Sequence, residues 1–136
     1  MVLLPRIASG EESRLKVLPF VSVTVAATGG LVLLLLSDTL VPLLFGQKAF
    51  VSKPDLVLLA LATTMAAFAW GYILKLRALG LGKPIVRIYA FGYGIGFIPA
   101  VLTAALIDPW GPTLGYLTHM AMVSLAAVVV TRRHVQ

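Results

Sequence analysis

Residues 88–107 read IYAFGYGIGFIPAVLTAALI and carry no charged side chain. A helix needs about 20 predominantly apolar residues to cross the hydrocarbon core of a bilayer. This run has that length, and it is followed by Asp108-Pro109-Trp110-Gly111, a composition typical of a turn. The sequence therefore predicts that these residues form a membrane-spanning segment.

Three further apolar runs give the chain its predicted architecture. The four predicted spans cover about residues 17–36, 55–74, 88–107 and 113–130. Backbone amides in lipid have no water to bond, and four segments are too few to close a β-barrel, so each span is predicted to be helical. Ser52-Lys53-Pro54-Asp55 has the pattern of a capping box and is predicted to begin the second helix. The fold class predicted for the 136 residues is a single all-α domain, an integral membrane four-helix bundle.

The basic residues predict how the chain is threaded. Nine of the eleven fall in three clusters: Arg6, Arg14 and Lys16; Lys75, Arg77, Lys83 and Arg87; and Arg132 with Arg133. Lys and Arg that flank short loops stay on the cytoplasmic side. Both termini and the central loop are therefore predicted to be cytoplasmic, in a bacterial inner membrane or an endoplasmic reticulum membrane. The apolar connection of residues 37–54 is predicted to lie along the outer interface or to cover the mouth of the bundle.

Composition narrows the chemistry that the chain can perform. The sequence has no cysteine, which excludes disulfides, thiolate nucleophiles and Fe–S ligation. It has two histidines. No metal site and no cofactor are predicted. The formal charge of +6 lies at the ends of apolar runs, so the lipid bilayer, and no nucleic acid, is the predicted partner. A phosphate-bearing substrate at Arg87 and Tyr89 is a second interpretation of the central basic cluster.

Small residues recur at every fourth position of the third span, at Gly92, Gly96, Ala100 and Ala104. Lipid gives helices no hydrophobic reason to associate, so small residues that let two backbones approach closely provide the packing. These four residues are predicted to pack against another helix of the same chain. Self-association into a dimer is the second interpretation.

His119 is the one ionisable side chain well inside a predicted span, and such groups are candidates for function. At a rise of about 1.5 Å per residue, several hydroxyl and aromatic side chains of the predicted helices lie at the same depth in the membrane as His119, or on a helix face next to it. The predicted substrate-binding residues are Tyr93, Phe97, Thr103, Tyr116, Thr63 and Thr64. In the structural alternative, the imidazole forms a hydrogen bond to a threonine hydroxyl or to a carbonyl freed by Pro99.

Asp108 is the candidate catalytic partner of His119. A carboxylate at the C-terminal end of a helix is electrostatically unfavourable, because the helix dipole places a partial negative charge there. The position of Asp108 therefore needs another explanation. Asp108 is either the first residue of the Asp-Pro-Trp-Gly turn or one member of an acid–base pair with His119.

Three classes of function are consistent with these residues, and no motif names a family. The first is a non-catalytic subunit or assembly partner of a membrane complex, bound to another membrane protein or to a second copy of itself. The scarcity of reactive groups favours it. The second is a bilayer-embedded enzyme, of isomerase or cyclase type, that acts on a lipophilic substrate with His119 and Asp108 as acid and base. The third is a small oligomeric transporter, for which only His119 could couple a proton in the middle of a span.

Overall fold

The computed structural model describes residues 12–46, 52–107 and 110–135, and this part of the chain is helical, with no strand in it. The elements are α1 (Glu12–Phe45), α2 (Lys53–Ala78), α3 (Gly82–Ile88), a π-helical segment (Tyr89–Ile95), α4 (Phe97–Leu106) and α5 (Gly111–Val135). We call the continuous run Gly82–Leu106 the third rod. With α1, α2 and α5 it makes four helices long and apolar enough to cross a membrane. The prediction of an all-helical chain with four long apolar helices is confirmed.

The first helix is longer than the predicted span. α1 continues past Leu36 to Phe45, and its 34 residues measure about 51 Å at about 1.5 Å per residue. Ser37 is polar, but it does not end the helix because its hydroxyl donates to the Leu34 carbonyl at 2.9 Å. Residues 37–45, predicted to belong to the outer connection, are therefore the last turns of α1.

The central connection is shorter than predicted. α2 ends at Ala78 and α3 begins at Gly82, so three residues join them. Gly80 turns the chain with φ of +70°, a left-handed conformation that glycine adopts without strain. Lys75 lies in the last turn of α2, where the helix dipole favours a positive charge. The central basic residues are thus mounted on the ends of two helices.

α2 and α5 run parallel and are joined by side-chain hydrogen bonds. Ser52 is the N-cap of α2 and accepts the Asp55 amide at 3.2 Å, which confirms that this predicted cap begins the helix. The Asp55 carboxylate accepts the Thr113 hydroxyl at 2.9 Å, near the start of α5. Deeper along the same pair, Ser124 donates to the Met65 carbonyl at 2.7 Å.

The described helices form an open row. α1 lies antiparallel to α2, with Pro19 against Gly71 and Gly30 against Ala60. Within the described residues α1 contacts α2 and no other element, whereas α5 lies between α2 and the third rod. A closed four-helix bundle would also bring α1 against α5 or the third rod. The sequence predicts a four-helix bundle, and in the described residues this bundle is open on one side of α1.

Candidate functional site

His119 lies on α5 and faces two aromatic rings of the third rod. Its ring centroid is 5.3 Å from that of Tyr93, with an interplanar angle of 69°, and 6.1 Å from that of Phe97, with an angle of 89°. Both are edge-to-face contacts, the arrangement that the charge distribution of aromatic rings favours. The Tyr93 ring centroid also lies 5.4 Å from that of Tyr89. Tyr89, Tyr93, His119 and Phe97 therefore form a continuous series of ring contacts between the two helices.

A cavity of about 230 Å³ lies beside His119, between α4 and α5. Its lining is mostly apolar and consists of Phe97, Ala100, Val101, Ala104, Pro112, Gly115, Tyr116 and His119. The small residues bring the two backbones together at its floor: a methyl group added to Gly115 would lie 2.7 Å from the Ala100 carbonyl oxygen and 2.9 Å from the Ala104 Cβ. The size and the apolar lining of this cavity would allow it to hold a small apolar group.

The threonine hydroxyls predicted to surround His119 are engaged elsewhere. Thr63 donates to the Leu59 carbonyl, Thr64 to the Ala60 carbonyl and Thr103 to the Pro99 carbonyl, each at 2.8 Å. All three bonds stay within the threonine's own helix, and none of the three residues lines the cavity. His119 Nδ1 is buried and has no hydrogen-bond partner among the described residues. Among the described residues, Nδ1 therefore forms neither hydrogen bond of the structural alternative, to a threonine hydroxyl or to a carbonyl freed by Pro99.

The structure thus brings part of the predicted site together. Phe97 and Tyr116 share a cavity with His119, and Tyr93 packs against its ring. Asp108 lies outside the described residues, so the acid–base pair stays a prediction. The arrangement that is described can hold His119 in a fixed orientation among aromatic and apolar groups.

The four small residues of the third rod face α5 in the same chain. A methyl group added to Gly92 would lie 3.0 Å from the Val123 Cα, and one added to Gly96 would meet the Gly92 carbonyl oxygen and lie 2.8 Å from the Met122 Cβ. Ala104 lies against both Gly111 and Gly115 of α5. These two glycines, four residues apart, are complementary partners that sequence reasoning missed, although their spacing is the same as that of Gly92 and Gly96.

Sequence reasoning also missed the π-helical segment. Gly96 donates its amide to the Phe91 carbonyl at 3.1 Å, a bond that spans five residues where an α-helix spans four. Three glycines in this stretch and the missing amide of Pro99 were the available signals, because both weaken the regular α-helical ladder. Single turns of π-helix are frequent at functional sites.

No protein-family model, curated protein or solved structure matches this chain.

Replacing His119 with phenylalanine tests whether its ring acts by packing. A buried polar atom without a partner costs about 1–3 kcal/mol, so His119→Phe is expected to keep or raise the free energy of unfolding in detergent. His119→Ala removes the ring contacts and is expected to lower it by about 2–3 kcal/mol. A His119→Phe variant less stable than His119→Ala would show that a ring nitrogen has a partner essential to the fold. Tyr116→Phe, which alters the same cavity without touching the imidazole, is the control.

Proposed function

We propose that the chain is inserted in a membrane with four crossings and with both termini on the cytoplasmic side. The support is the position of the charges in the fold. Antiparallel packing of α1 on α2, and of the third rod against α5, gathers one set of bases at a single end, which we call the basic end: Lys16, Lys75, Arg77, Lys83, Arg87, Arg132 and Arg133. The opposite end holds Asp38, Lys53 and Asp55. Positive charge gathered in this way favours the cytoplasmic face.

The proposed activity is association: a non-catalytic subunit or assembly partner of a membrane complex. The observation that carries it is the incomplete packing of α1. Buried positions make up 6% of its most apolar stretch, against 28% in α2, 22% in the third rod and 28% in α5. α1 is the longest helix and has the fewest neighbours in the described chain. A second membrane protein, or a second copy of this one, would complete its packing.

Gly29 marks the face of α1 that such a partner would use. Glycine costs a helix interior about 1 kcal/mol relative to alanine, so its presence there needs a packing reason. At Gly30 the reason is inside the chain, because a methyl group added there would lie 3.0 Å from the Ala60 Cβ. At Gly29 an added methyl group would meet nothing within 4 Å. Ala27 and Thr28 beside it are also small and exposed. Together with Gly29 they form a surface that another helix can approach closely.

The surroundings of His119 suit the same proposal. Its ring contacts are aromatic, and the threonines near it in the predicted site donate to their own helices. A side chain held in this way contributes to the contact between α5 and the third rod. The acid–base alternative would need Asp108 to reach the imidazole.

Single cysteines test the proposed threading, because the sequence has none of its own. Lys53→Cys and Lys83→Cys place one thiol at each end of the helices, both at exposed positions. In sealed cells, a membrane-impermeant maleimide is expected to label Lys53→Cys at once and Lys83→Cys only after permeabilisation. Labelling of both thiols in sealed cells, or of Lys83→Cys alone, would contradict the proposed orientation.

Substitution at Gly29 tests the proposed association. The wild-type protein, extracted from its native membrane in a mild detergent, is expected to sediment as a species larger than the monomer in its micelle. Gly29→Leu is expected to return it to the monomer, because the larger side chain holds the partner backbone away from α1. Ala105→Leu, which adds the same bulk at an exposed position of α4, should leave the size unchanged. A monomeric wild type, or equal dispersal by both variants, would contradict the proposal.

A further inference from the structure

A cavity lies at the basic end, between the third rod and α5, and is larger than the one beside His119. It has a volume of about 520 Å³ and is open on one side. Its walls are apolar for most of their length and include Phe91, Ile95, Leu125 and Val129. Its polar end carries Arg87, Arg133 and His134. The cavity is therefore amphipathic: an apolar trough that ends in two permanent positive charges.

The polar end has a defined hydrogen-bond arrangement. An arginine only donates, so Arg87 Nη1 donates to His134 Nε2, 3.1 Å away. His134 Nδ1 then donates to the Val130 carbonyl at 2.8 Å, which holds the ring against α5. One guanidinium nitrogen of Arg87 is used in this contact, and the remaining N–H groups are left for an anion. Among the described residues, no Asp or Glu lines the cavity, so its two arginines have no carboxylate counter-ion within that lining.

The π-helical segment shapes the apolar part of the trough. Arg87, Phe91 and Ile95 follow one another at four-residue intervals along one side of the third rod, and all three line the cavity. Gly92, next to Phe91, brings the rod's backbone to within close contact of α5 at Val123. The large side chains are displaced to the side of this contact, and Phe91 and Ile95 remain 55% and 53% exposed. A trough thus stays open beside the contact between the two helices.

We infer that this cavity binds one anionic phospholipid. Its phosphate would accept hydrogen bonds from Arg87 and Arg133, and an acyl chain would lie along Phe91, Ile95, Leu125 and Val129. Free phosphate matches only the polar end, and a lipid without a headgroup phosphate matches only the apolar walls. A zwitterionic phospholipid would bring a further cation to an end that already carries two arginines. Basic residues near a membrane attract anionic lipids in general, at about 1 kcal/mol each, but that attraction does not depend on which base is present. A site in this cavity depends on Arg87 and Arg133 in particular. The inference requires the proposed membrane location and is independent of association through α1.

Two double variants with the same loss of charge separate the site from general attraction. Arg87→Gln/Arg133→Gln removes the bases that line the cavity. Lys83→Gln/Arg132→Gln removes two exposed neighbours that do not line it. Binding of dioleoylphosphatidylglycerol to the full chain in detergent micelles is measured by native mass spectrometry, with thermal unfolding as the check that each variant is folded.

The cavity site predicts saturable binding of one lipid and about tenfold weaker binding in the cavity variant, because hydrogen bonds to a charged group are lost. The control variant should stay within about twofold of the wild type. Val129→Trp, which narrows the trough without changing charge, should also weaken binding. Equal loss in the two double variants, equal binding of dioleoylphosphatidylcholine, or displacement by millimolar inorganic phosphate would each overturn the inference. The last result would assign the polar end to free phosphate.

Discussion

The contact between the third rod and α5 is the constraint on which most of the described structure depends. Glycines on both helices, Gly92 and Gly96 on one side and Gly111 and Gly115 on the other, allow the two backbones to approach within van der Waals distance. In lipid, apolar side chains gain nothing from leaving the solvent, so a helix pair is held by close packing and a few hydrogen bonds. A bulky side chain such as leucine at any of these positions would separate the helices and remove that packing.

Several features follow from this one approach. The backbone of the third rod is close enough to α5 that its aromatic side chains lie to either side of the contact, Tyr93 and Phe97 against His119 and Phe91 toward the basic end. One cavity lies beside His119 and another beside Arg87. α2 adds to this pair through Ser124 and Asp55, whereas α1 depends on α2 alone. The described chain is thus a three-helix core with a fourth helix on one edge, and this edge supports the proposal of a partner.

The sequence predicts the helices well because the signals are long and repeated: four long apolar runs, a stripe of small residues at every fourth position, and a capping-box pattern at Ser52. It predicts the ends of helices less well. Ser37 resembles a stop signal, but its hydroxyl bonds to its own helix and α1 continues to Phe45. The site predicted around His119 stays a prediction, but its threonines show an effect that the prediction left out, since each donates to the carbonyl four residues before it in its own helix. The position of a residue along its helix can be predicted from the sequence, whereas the direction in which its side chain points depends on how the helices pack. The arrangement of the four long helices in an open row likewise depends on which helix faces pack against each other.

Disulfide cross-linking between the third rod and α5 tests the central contact most directly, because the chain has no cysteine of its own. A Cβ added at Gly92 would lie 3.5 Å from the Ala126 Cβ, within the range of about 3.5–4.5 Å that a disulfide spans. The pair Gly92→Cys/Ala126→Cys is therefore expected to oxidise rapidly to an intramolecular disulfide in native membranes. Gly94→Cys/Ala126→Cys should stay reduced, since a Cβ at Gly94 meets nothing within 4 Å. Rapid oxidation of the Gly94 pair, with a reduced Gly92 pair, would mean that a different face of the third rod meets α5 and would contradict this account.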